Sequence, residues 1–250
     1  MVDDVEWAVE FEYPGAKTFM VLMKSLGALV DEALFTFSEE GLRIKALDPA
    51  RVALLDINLG TDAFLTYEVK KPINVGVNVA GLIKAVPTPK KTDKLVFRAS
   101  EEFYELVIES NVTRRYRFRS IEVIAEELPE PELEFEVEAK AIASAFKTAI
   151  KDLKGAETIE FKAQGDDLVL RGVQIGAEAK LSRIAGSLLE LKAPESGASE
   201  RYDEGYITKV IDLAGHVQTI EVRFGSGIPL NILFPLAEGG FVKYLLAPKA

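Results

Sequence analysis

The sequence predicts an α+β protein made of two similar domains that are related by internal duplication. Helix-type and strand-type patterns alternate along the 250 residues. The order of these patterns in the first half recurs in the second half, about 125 residues further on. An acidic segment with two prolines, EVIAEELPEPELEF at 122–135, lies between the halves. We therefore expect an N-terminal domain at 1–121, a connecting loop at 122–134 and a C-terminal domain at 135–250.

Each half is predicted to contain a long helix, three strands, a second short helix and further strands. The first long helix is expected over 16–30, and its apolar stripe at helical spacing comprises Phe19, Leu22, Met23, Leu26, Leu29 and Val30. The second is expected over 140–154, with the stripe Ile142, Phe146, Ala149, Ile150 and Leu153. Each half closes on a strand-like segment, TRRYRFRS in the first and GFVKYLLAP in the second.

Lysines recur on another face of both long helices. Lys17 and Lys24 lie about two helical turns apart. In the second helix the spacing places four lysines on one side, with Asp152 as the only acid near them: Lys140, Lys147, Lys151 and Lys154. The shorter helices and the segments after them add Lys84, Lys90, Lys91 and Lys209.

A solvated helix face explains any single lysine of this set. Two corresponding helices with such faces, in a chain of net charge −10, indicate a surface that contacts a polyanion. Phosphate contacts of this kind carry no sequence information. No aromatic cluster lies among the lysines, so base stacking is not predicted.

The composition excludes several classes of catalytic and metal site. The chain has no cysteine and one histidine, His216, which removes disulfides, zinc clusters, cysteine nucleophiles and two-histidine metal sites. His216 is expected at a helix end. Phosphate-binding loops of the G-x-x-x-x-G-K-[ST] and G-x-G-x-x-G types are missing. We predict no catalytic residue, metal or cofactor, although 40 acidic residues leave paired-carboxylate chemistry formally open.

The sequence also predicts a cytoplasmic location, associated with the nucleoid in a prokaryote, with a nuclear location as the alternative for a eukaryotic source. No run approaches the roughly 18 apolar residues that a membrane span needs. The N-terminal stretch MVDDVEWAVEFEYPG is acidic and lacks the basic-then-apolar pattern of a secretory signal.

Four segments together resemble the sliding-clamp family of proliferating cell nuclear antigen (PCNA). They are ALDPARVALLDINL at 46–59, LPEPE at 128–132, GIPLNILF at 227–234 and the C-terminal KYLLAPKA. The length fits the two-domain subunit of archaea and eukaryotes, and the composition suits a thermophilic source. The resemblance therefore favours the archaeal form of the family. The resemblance implies a ring of three subunits, with helices lining the hole and sheets forming the outer wall.

The resemblance also assigns the lysines and the terminal strands. The lysine faces would line the channel, which gives the DNA-facing set Lys17, Lys24, Lys84, Lys90, Lys91, Lys140, Lys147, Lys151, Lys154 and Lys209. The strand that contains Arg115, Tyr116, Arg117 and Phe118 would pair with 177–185 of a neighbouring subunit, which includes Ala179 and Leu181. Two ordinary internal strands are the alternative.

A third implied site is a pocket for partner peptides of the form Q-x-x-[ILM]-x-x-aromatic-aromatic. Such peptides would come from DNA polymerase, flap endonuclease, DNA ligase and the clamp loader, and the C-terminal tail would add main-chain hydrogen bonds. The matching positions are Leu47, Arg51, Val52, Leu54, Leu128, Pro129, Pro229, Leu245 and Ala247. Arg51 replaces the histidine and Leu245 the tyrosine of the eukaryotic pattern. Burial in a strand core is the alternative for Leu47, Val52 and Leu54.

The expected function is that of a non-enzymatic DNA sliding clamp, a processivity factor that tethers replication and repair proteins to duplex DNA. Tethering raises the effective concentration of a polymerase at its template. A separate ATP-driven loader would open the ring. The alternatives are one subunit of a heterotrimeric or checkpoint-type clamp, a protein-interaction scaffold that acts without DNA, and a carboxylate-dependent hydrolase.

Overall fold

The computed structural model describes residues 5–124, 133–236 and 239–249. The chain divides into two compact units. The N-terminal unit comprises Met1–Pro49, Leu55–Glu127 and Leu236–Phe241, and the C-terminal unit comprises Ala50–Leu54, Leu128–Pro235 and Val242–Ala250. Residues 125–132 lie outside the described residues, so the connecting loop at 122–134 stays a prediction.

The first half of the chain contains nine strands and two α-helices among its described residues. In chain order they are β1 (Val9–Tyr13), α1 (Ala16–Gly27), β2 (Glu32–Ser38), β3 (Gly41–Leu47), β4 (Ala53–Gly60), β5 (Thr66–Val69), β6 (Ile73–Asn78), α2 (Val79–Ala85), β7 (Lys94–Ala99), β8 (Phe103–Glu109) and β9 (Arg114–Arg119). A 3₁₀ turn at Thr61–Ala63 precedes β5.

The second half repeats this series within its described residues. In chain order it contains β10 (Val137–Ile142), α3 (Ala143–Asp152), β11 (Thr158–Gln164), β12 (Asp167–Gly172), β13 (Ala177–Ser182), β14 (Leu188–Lys192), β15 (Ala198–Asp203), α4 (Glu204–Thr208), β16 (Thr219–Gly225), β17 (Ile228–Pro235) and β18 (Phe241–Leu246). A 3₁₀ turn at Ile211–Gly215 follows α4.

The strand order establishes the duplication. In the first half the neighbouring strands run β5-β1-β7-β8-β9 and β4-β3-β2-β6, and in the second half they run β14-β10-β16-β17-β18 and β13-β12-β11-β15. Every strand of the first half therefore has its counterpart nine strands later. Paired strands such as β1 and β7, or β10 and β16, are antiparallel. The predicted α+β fold with internal duplication is confirmed.

Four details of the predicted plan are wrong. Five strands, β2–β6 in the first half and β11–β15 in the second, lie between the two helices, where three were expected. A strand precedes each long helix, β1 before α1 and β10 before α3. Helix α1 ends at Gly27, and the apolar stripe continues through a turn in which the N–H groups of Leu29 and Val30 donate to the carbonyl of Leu26. Helix α3 begins at Ala143 and not at 140, because the preceding residues alternate between buried and more exposed positions, as a strand requires.

Each half builds its own aromatic core under its long helix. In the first half the ring of Phe11 lies 6.0 Å from Phe19 and 5.1 Å from Phe97. In the second half the ring of Phe161 lies 6.3 Å from Phe146 and 5.9 Å from Phe224. The apolar stripes of α1 and α3 are buried in these cores, which leaves the opposite helix faces to polar residues.

No helix in the described part of the chain is long and apolar enough to cross a membrane.

Candidate nucleic-acid interface

The N-terminal unit displays five lysines on α1, α2 and the loop that follows α2. Lys17 and Lys24 are exposed on α1, on the face away from its buried stripe. The ammonium group of Lys24 donates to the hydroxyl of Thr88 at 2.9 Å. Because the hydroxyl of Thr88 is neutral, this hydrogen bond leaves the positive charge of Lys24 uncompensated. Lys84, in the last turn of α2, and Lys90 and Lys91 in the loop are also exposed.

A buried carboxylate positions this lysine-bearing loop. Asp93 is 3% exposed and accepts the backbone N–H of Lys90 at 3.0 Å. The same oxygen accepts a hydrogen bond at 3.1 Å from the guanidinium of Arg114 on β9. The carbonyl of Asp93 accepts the N–H of Ala16, the first residue of α1. Asp93 therefore joins the loop to β9 and to α1, and sequence patterns did not reveal it.

The C-terminal unit presents fewer uncompensated lysines. Lys147 and Lys151 lie on α3, and both ammonium groups approach the same oxygen of Asp212, at 2.9 and 3.8 Å. The hydrogen bond from Lys147, together with the two ammonium charges, lowers the pKa of the Asp212 carboxyl. Lys209 stands over the ring of Tyr206, with Nζ 3.9 Å from its centroid.

Two predicted features of this surface are corrected. Lys140 lies on β10 and not on a helix, and it is on the strand face turned away from the buried Ala139 and Ala141. It shares a shallow surface depression with Glu138 and other charged residues of the sheet, so it does not belong to the lysine face of α3. The expectation that Asp152 is the only acid near the α3 lysines is also wrong, because Asp212 pairs with two of them.

Lys154 and His216 lie just beyond helical elements. Lys154 is exposed after the end of α3, and its N–H donates to the carbonyl of Lys151. His216 follows the 3₁₀ turn at Ile211–Gly215, which agrees with the predicted helix-end position. No group of three or more histidine, aspartate and glutamate side chains in the described ranges could hold a metal ion.

Strand β9 is the last in its strand order, and buried Glu105 fixes its arginines. Glu105 on β8 is only 1% exposed. It accepts a contact from Arg117 at 2.9 Å and lies 3.5 Å from Arg115. Together with the guanidinium of Arg98, which lies 3.6 Å away, these two groups compensate a carboxylate that burial would otherwise disfavour.

The other predicted edge residues of β9 pack on the strand beside it. The ring of Phe118 stacks on Tyr104 with centroids 5.1 Å apart. Tyr116 is half-buried and lies opposite Leu106 in the register of β8 and β9. Within the described residues β9 pairs with β8 alone, so its other edge is open for a further strand.

Strand β13 is the terminal strand of the series β13-β12-β11-β15. Ala179 is half-exposed, whereas Leu181 is only 3% exposed and lies opposite Leu168 on β12. Leu181 is therefore a core residue of its own unit. Its replacement by glutamate would damage the fold, so it cannot serve as a test of a subunit contact.

Comparison with known proteins decides the family. Residues 9–129 match the family model "Proliferating cell nuclear antigen, N-terminal domain". A DNA polymerase sliding clamp of Thermofilum pendens is 33% identical over 245 residues, 96% of this chain and 99% of that protein. DNA polymerase sliding clamp 1 of Aeropyrum pernix is 35% identical over 240 residues, 93% and 97% of the two chains. The chain is a PCNA-type sliding clamp of the archaeal family.

Solved structures agree with this assignment. The clamp superimposes with a TM-score of 0.90 on a chain of the PCNA2–PCNA3 complex from Sulfolobus tokodaii, at 29% identity over 96% of this chain and 99% of that one. PCNA from Thermococcus kodakaraensis gives a TM-score of 0.88 at 27% identity, over 96% of this clamp and all of that chain.

The residues that the family resemblance assigns to the partner-peptide pocket lie in several segments of the clamp. Leu47 ends β3 in the N-terminal unit and is half-buried. Arg51 is exposed in the turn before β4 and has a left-handed backbone with φ 60°, an uncommon conformation for a residue with a side chain. Val52 and Leu54 are half-buried beside it in the C-terminal unit, so neither is a fully buried strand residue. Leu128 and Pro129 lie outside the described residues.

The C-terminal tail of the clamp is bound to its own unit. The N–H of Ala247 donates to the carbonyl of Val52 at 2.8 Å, and the N–H of Lys249 donates to the carbonyl of Arg201 at 2.8 Å. Pro248, between them, has no N–H. The tail donors of 247–249 are therefore already used, and a bound peptide would have to donate to tail carbonyls. Nearby, Pro229 is half-buried and Leu245 is buried.

Sequence reasoning missed Asp212, Asp93 and Thr88. Asp212 and Thr88 lie far along the chain from the lysines that they contact, and Asp93 lies 21 residues from Arg114, so helical and strand periodicity carry no signal for these pairs. The duplication could have indicated Asp212. The segment after α4 corresponds to the lysine-bearing loop after α2, and an aspartate in that segment stands out against the lysines of the corresponding loop.

Proposed function

We propose that this DNA sliding clamp encloses duplex DNA in a ring of three clamp subunits and contacts its phosphates through the lysines of α1, α2 and α3. One observation carries the proposal: corresponding helices in both halves expose lysines opposite their buried stripes, in a chain of net charge −10. An acidic exterior disfavours binding of DNA elsewhere, because binding that releases counterions needs clustered Lys and Arg.

Enclosure explains why the contacts can be weak. Exposed charges act over a Debye length of about 8 Å at physiological salt, so a lysine face can attract phosphate while distant acids are screened. A ring that surrounds the duplex does not need high affinity to stay on it. The clamp has no chemistry of its own in this proposal; it is a processivity factor that raises the effective concentration of its partners.

DNA retention tests the proposal directly. We expect the Lys24→Glu, Lys151→Glu double variant to be lost from nicked circular DNA at least several-fold faster than the wild type once loaded. The control is Lys70→Glu with Lys71→Glu, which makes the same charge change at two exposed lysines paired with Glu6 and Glu101. Equal retention of both variants would reject the channel assignment.

The proposed ring closes by strand addition between β9 of one subunit and β13 of the next. The contact is heterologous, as ring formation requires. It is supported by the terminal position of both strands in their series and by the buried Glu105, which orders the arginines of β9.

The assembly state tests the strand pairing. Tyr116→Ala should shift the light-scattering mass from trimer towards monomer, because it removes a half-buried ring from the β9 edge. Val112→Ala, in the exposed turn of the same hairpin, is the matched control. A Tyr116→Ala protein that keeps the wild-type mass at all concentrations contradicts this pairing.

The proposed partner site binds a short helical turn of the peptide in an apolar depression, a recurring form of recognition. Half-buried Val52 and Leu54 supply apolar surface, and the tail supplies carbonyl acceptors. Polymerase, flap endonuclease, ligase and loader peptides of the form Q-x-x-[ILM]-x-x-aromatic-aromatic are the proposed ligands. Val52→Asp should abolish peptide binding by calorimetry, whereas Val173→Asp, in an exposed turn, should not. Unchanged binding by Val52→Asp rejects the site.

A heteromeric ring is the second candidate, since one structure that this clamp resembles is a complex of two different PCNA chains. In that case the purified chain would be a monomer or dimer and would form a ring only with paralogues from the same genome. Light scattering of the chain alone, and of its mixture with each paralogue, separates the two assemblies. A ring of either kind that stays on circular DNA but leaves linear ends also excludes a DNA-independent scaffold.

A further inference from the structure

We infer that Asp212 is an internal counter-ion that competes with DNA phosphate for Lys147 and Lys151, so that the C-terminal half of the clamp holds DNA more weakly than the N-terminal half. The inference rests on the proposed function, because it presumes that these lysines face phosphate. It adds to that function a residue that lowers the affinity for DNA, and a difference in DNA affinity between the two halves of each subunit.

The geometry places the carboxylate where a phosphate oxygen would otherwise bind. One oxygen of Asp212 lies 2.9 Å from Nζ of Lys147 and 3.8 Å from Nζ of Lys151. The Asp212 side chain is 69% exposed, so it lies at the surface with its two partners and not beneath them. A phosphate that approaches either ammonium group therefore meets this carboxylate and is repelled by it.

Lys147 is held in this arrangement from two sides. Its side chain is only 23% exposed, and its ammonium group lies against Gly215, where an added Cβ would be 3.0 Å from Nζ. Gly215 and Asp212 belong to the same 3₁₀ turn. The turn thus both leaves space for the ammonium group and supplies its counter-ion.

The N-terminal half lacks this arrangement at the corresponding helix. Lys24 and Lys151 take the same place relative to the buried stripes of α1 and α3, and Lys24 donates to the neutral hydroxyl of Thr88. In the loop after α2 the acid is Asp93, which is buried and already bound to Arg114. A phosphate can take the place of Thr88 without displacing a negative charge.

The salt dependence of DNA binding reports this difference. Each phosphate that a protein neutralises steepens the slope of log Kobs against log salt by about 0.9. A lysine that is already neutralised by Asp212 contributes less than a full phosphate to that slope. The contact between Asp212 and the two lysines is nevertheless at the surface, so DNA phosphate can displace the carboxylate. Asp212 therefore lowers the affinity for DNA without abolishing binding.

The test is Asp212→Asn in the full-length clamp, with binding to a short DNA duplex measured by fluorescence anisotropy across a salt series. We expect the slope to steepen by about 0.9 to 1.8 per subunit, as one or two lysines regain phosphate. Affinity near 0.1 M salt should rise several-fold. Asp212→Ala should change the slope by the same amount, which would show that the effect comes from loss of the carboxylate and not from the amide that asparagine introduces.

Two further variants make the outcomes distinguishable. Glu101→Gln removes the same charge from an exposed pair with Lys71 and should leave the slope unchanged. Lys24→Gln should flatten it. If Lys24→Gln flattens the slope but Asp212→Asn does not change it, the inference fails and the proposed function stands. If none of these variants changes the slope, both fail. Equal changes in Asp212→Asn and Glu101→Gln also overturn the inference, because net charge alone would then explain them.

Discussion

The two halves of this clamp share a backbone plan but secure it with different side chains. Both long helices start with the same bond: the N–H of Ala16 donates to the carbonyl of Asp93, and that of Ala143 to the carbonyl of Gln218. Both short helices are capped alike, by Asn78 in the first half and Asp203 in the second. The duplication therefore maintains strand order, helix starts and caps.

The halves differ in where they place charge. In the first half, Asp93 is buried and paired with Arg114, and the α1 lysines have no carboxylate partner in the described contacts. In the second half the matching position is the exposed Gln218, and a carboxylate at Asp212 restrains the α3 lysines. Backbone hydrogen bonds tolerate many side chains, whereas each ion pair depends on two particular residues. A repeat can therefore keep its fold while its electrostatics diverge.

The segments that follow the last strand of each half, 120–124 after β9 and 247–249 after β18, show the same contrast; we call them the exit segments. After β9, the N–H of Ile121 donates to the carbonyl of Gly76, and after β18, the N–H of Lys249 donates to the carbonyl of Arg201. The first exit is tight, since a Cβ on Gly76 would lie 1.9 Å from the carbonyl oxygen of Ile121. The second exit is secured by Lys249, whose ammonium group contacts Asp203 at 3.2 Å.

The largest expected effect concerns the buried ion pair of the first half. Asp93→Ala removes the carboxylate that accepts hydrogen bonds from Arg114 and from the N–H of Lys90, and it leaves the guanidinium uncompensated. The backbone carbonyl that accepts the N–H of Ala16 stays in place. We expect a loss of about 3 kcal/mol in the free energy of unfolding, at the lower end for a buried pair because Arg114 is about one-third exposed. Urea denaturation, with hydrogen exchange to locate the loss, measures it.

The matched control for Asp93 is Gln218→Ala, at the corresponding place in the second half. Gln218 is exposed, so its truncation should change the unfolding free energy by less than about 0.5 kcal/mol. Comparable losses in the two variants would mean that the halves do not differ in how they anchor the lysine-bearing loop.

The exit segments give the next largest expected effect. Gly76→Ala forces a methyl group against backbone atoms of Ile121, which have no rotamer by which to move away. We expect a loss of about 1 to 3 kcal/mol in unfolding free energy, together with faster hydrogen exchange at residues 120–124. Arg201→Ala, at the corresponding strand position, loses only a surface ion pair with Glu160 and should change stability by about 1 kcal/mol or less. A Gly76→Ala protein as stable as the wild type would show that this exit is not tightly packed.

Features that depend on neighbouring residues could be predicted from the sequence, whereas contacts between distant residues could not. The stripe of α1 and the strand that contains Arg115 follow from local periodicity, and the duplication follows from the recurrence of the same order of patterns about 125 residues further on. Strand β1 could also have been predicted, because VEFEY at 9–13 alternates apolar or aromatic residues with glutamates. Lys140 was misplaced because its spacing from Lys147 fits a helix, while the residues around it alternate as a strand.

The side-chain pairs could not be predicted in this way. Asp212 is separated from Lys147 along the chain by the five strands β11–β15 and by α4, and Asp93 is separated from Arg114 by the two strands β7 and β8. Such pairs are fixed by the packing of elements and not by spacing along one element. The composition indicates only that the chain is acidic; which lysines are compensated depends on tertiary structure.

The smallest expected effect is the difference between two single lysines, and it bears most directly on the comparison of the halves. Lys24→Gln should lower the affinity for duplex DNA about fivefold at 0.1 M salt, whereas Lys151→Gln should lower it about twofold, because Lys151 is already shared with Asp212. In the Asp212→Asn background, the loss caused by Lys151→Gln should grow until it equals that of Lys24→Gln. This double-mutant cycle isolates the coupling between carboxylate and lysine from any general effect of charge. Equal losses for the two lysines in the wild-type background would mean that the carboxylate does not restrain Lys151, and the electrostatic difference between the halves would then have no consequence for DNA.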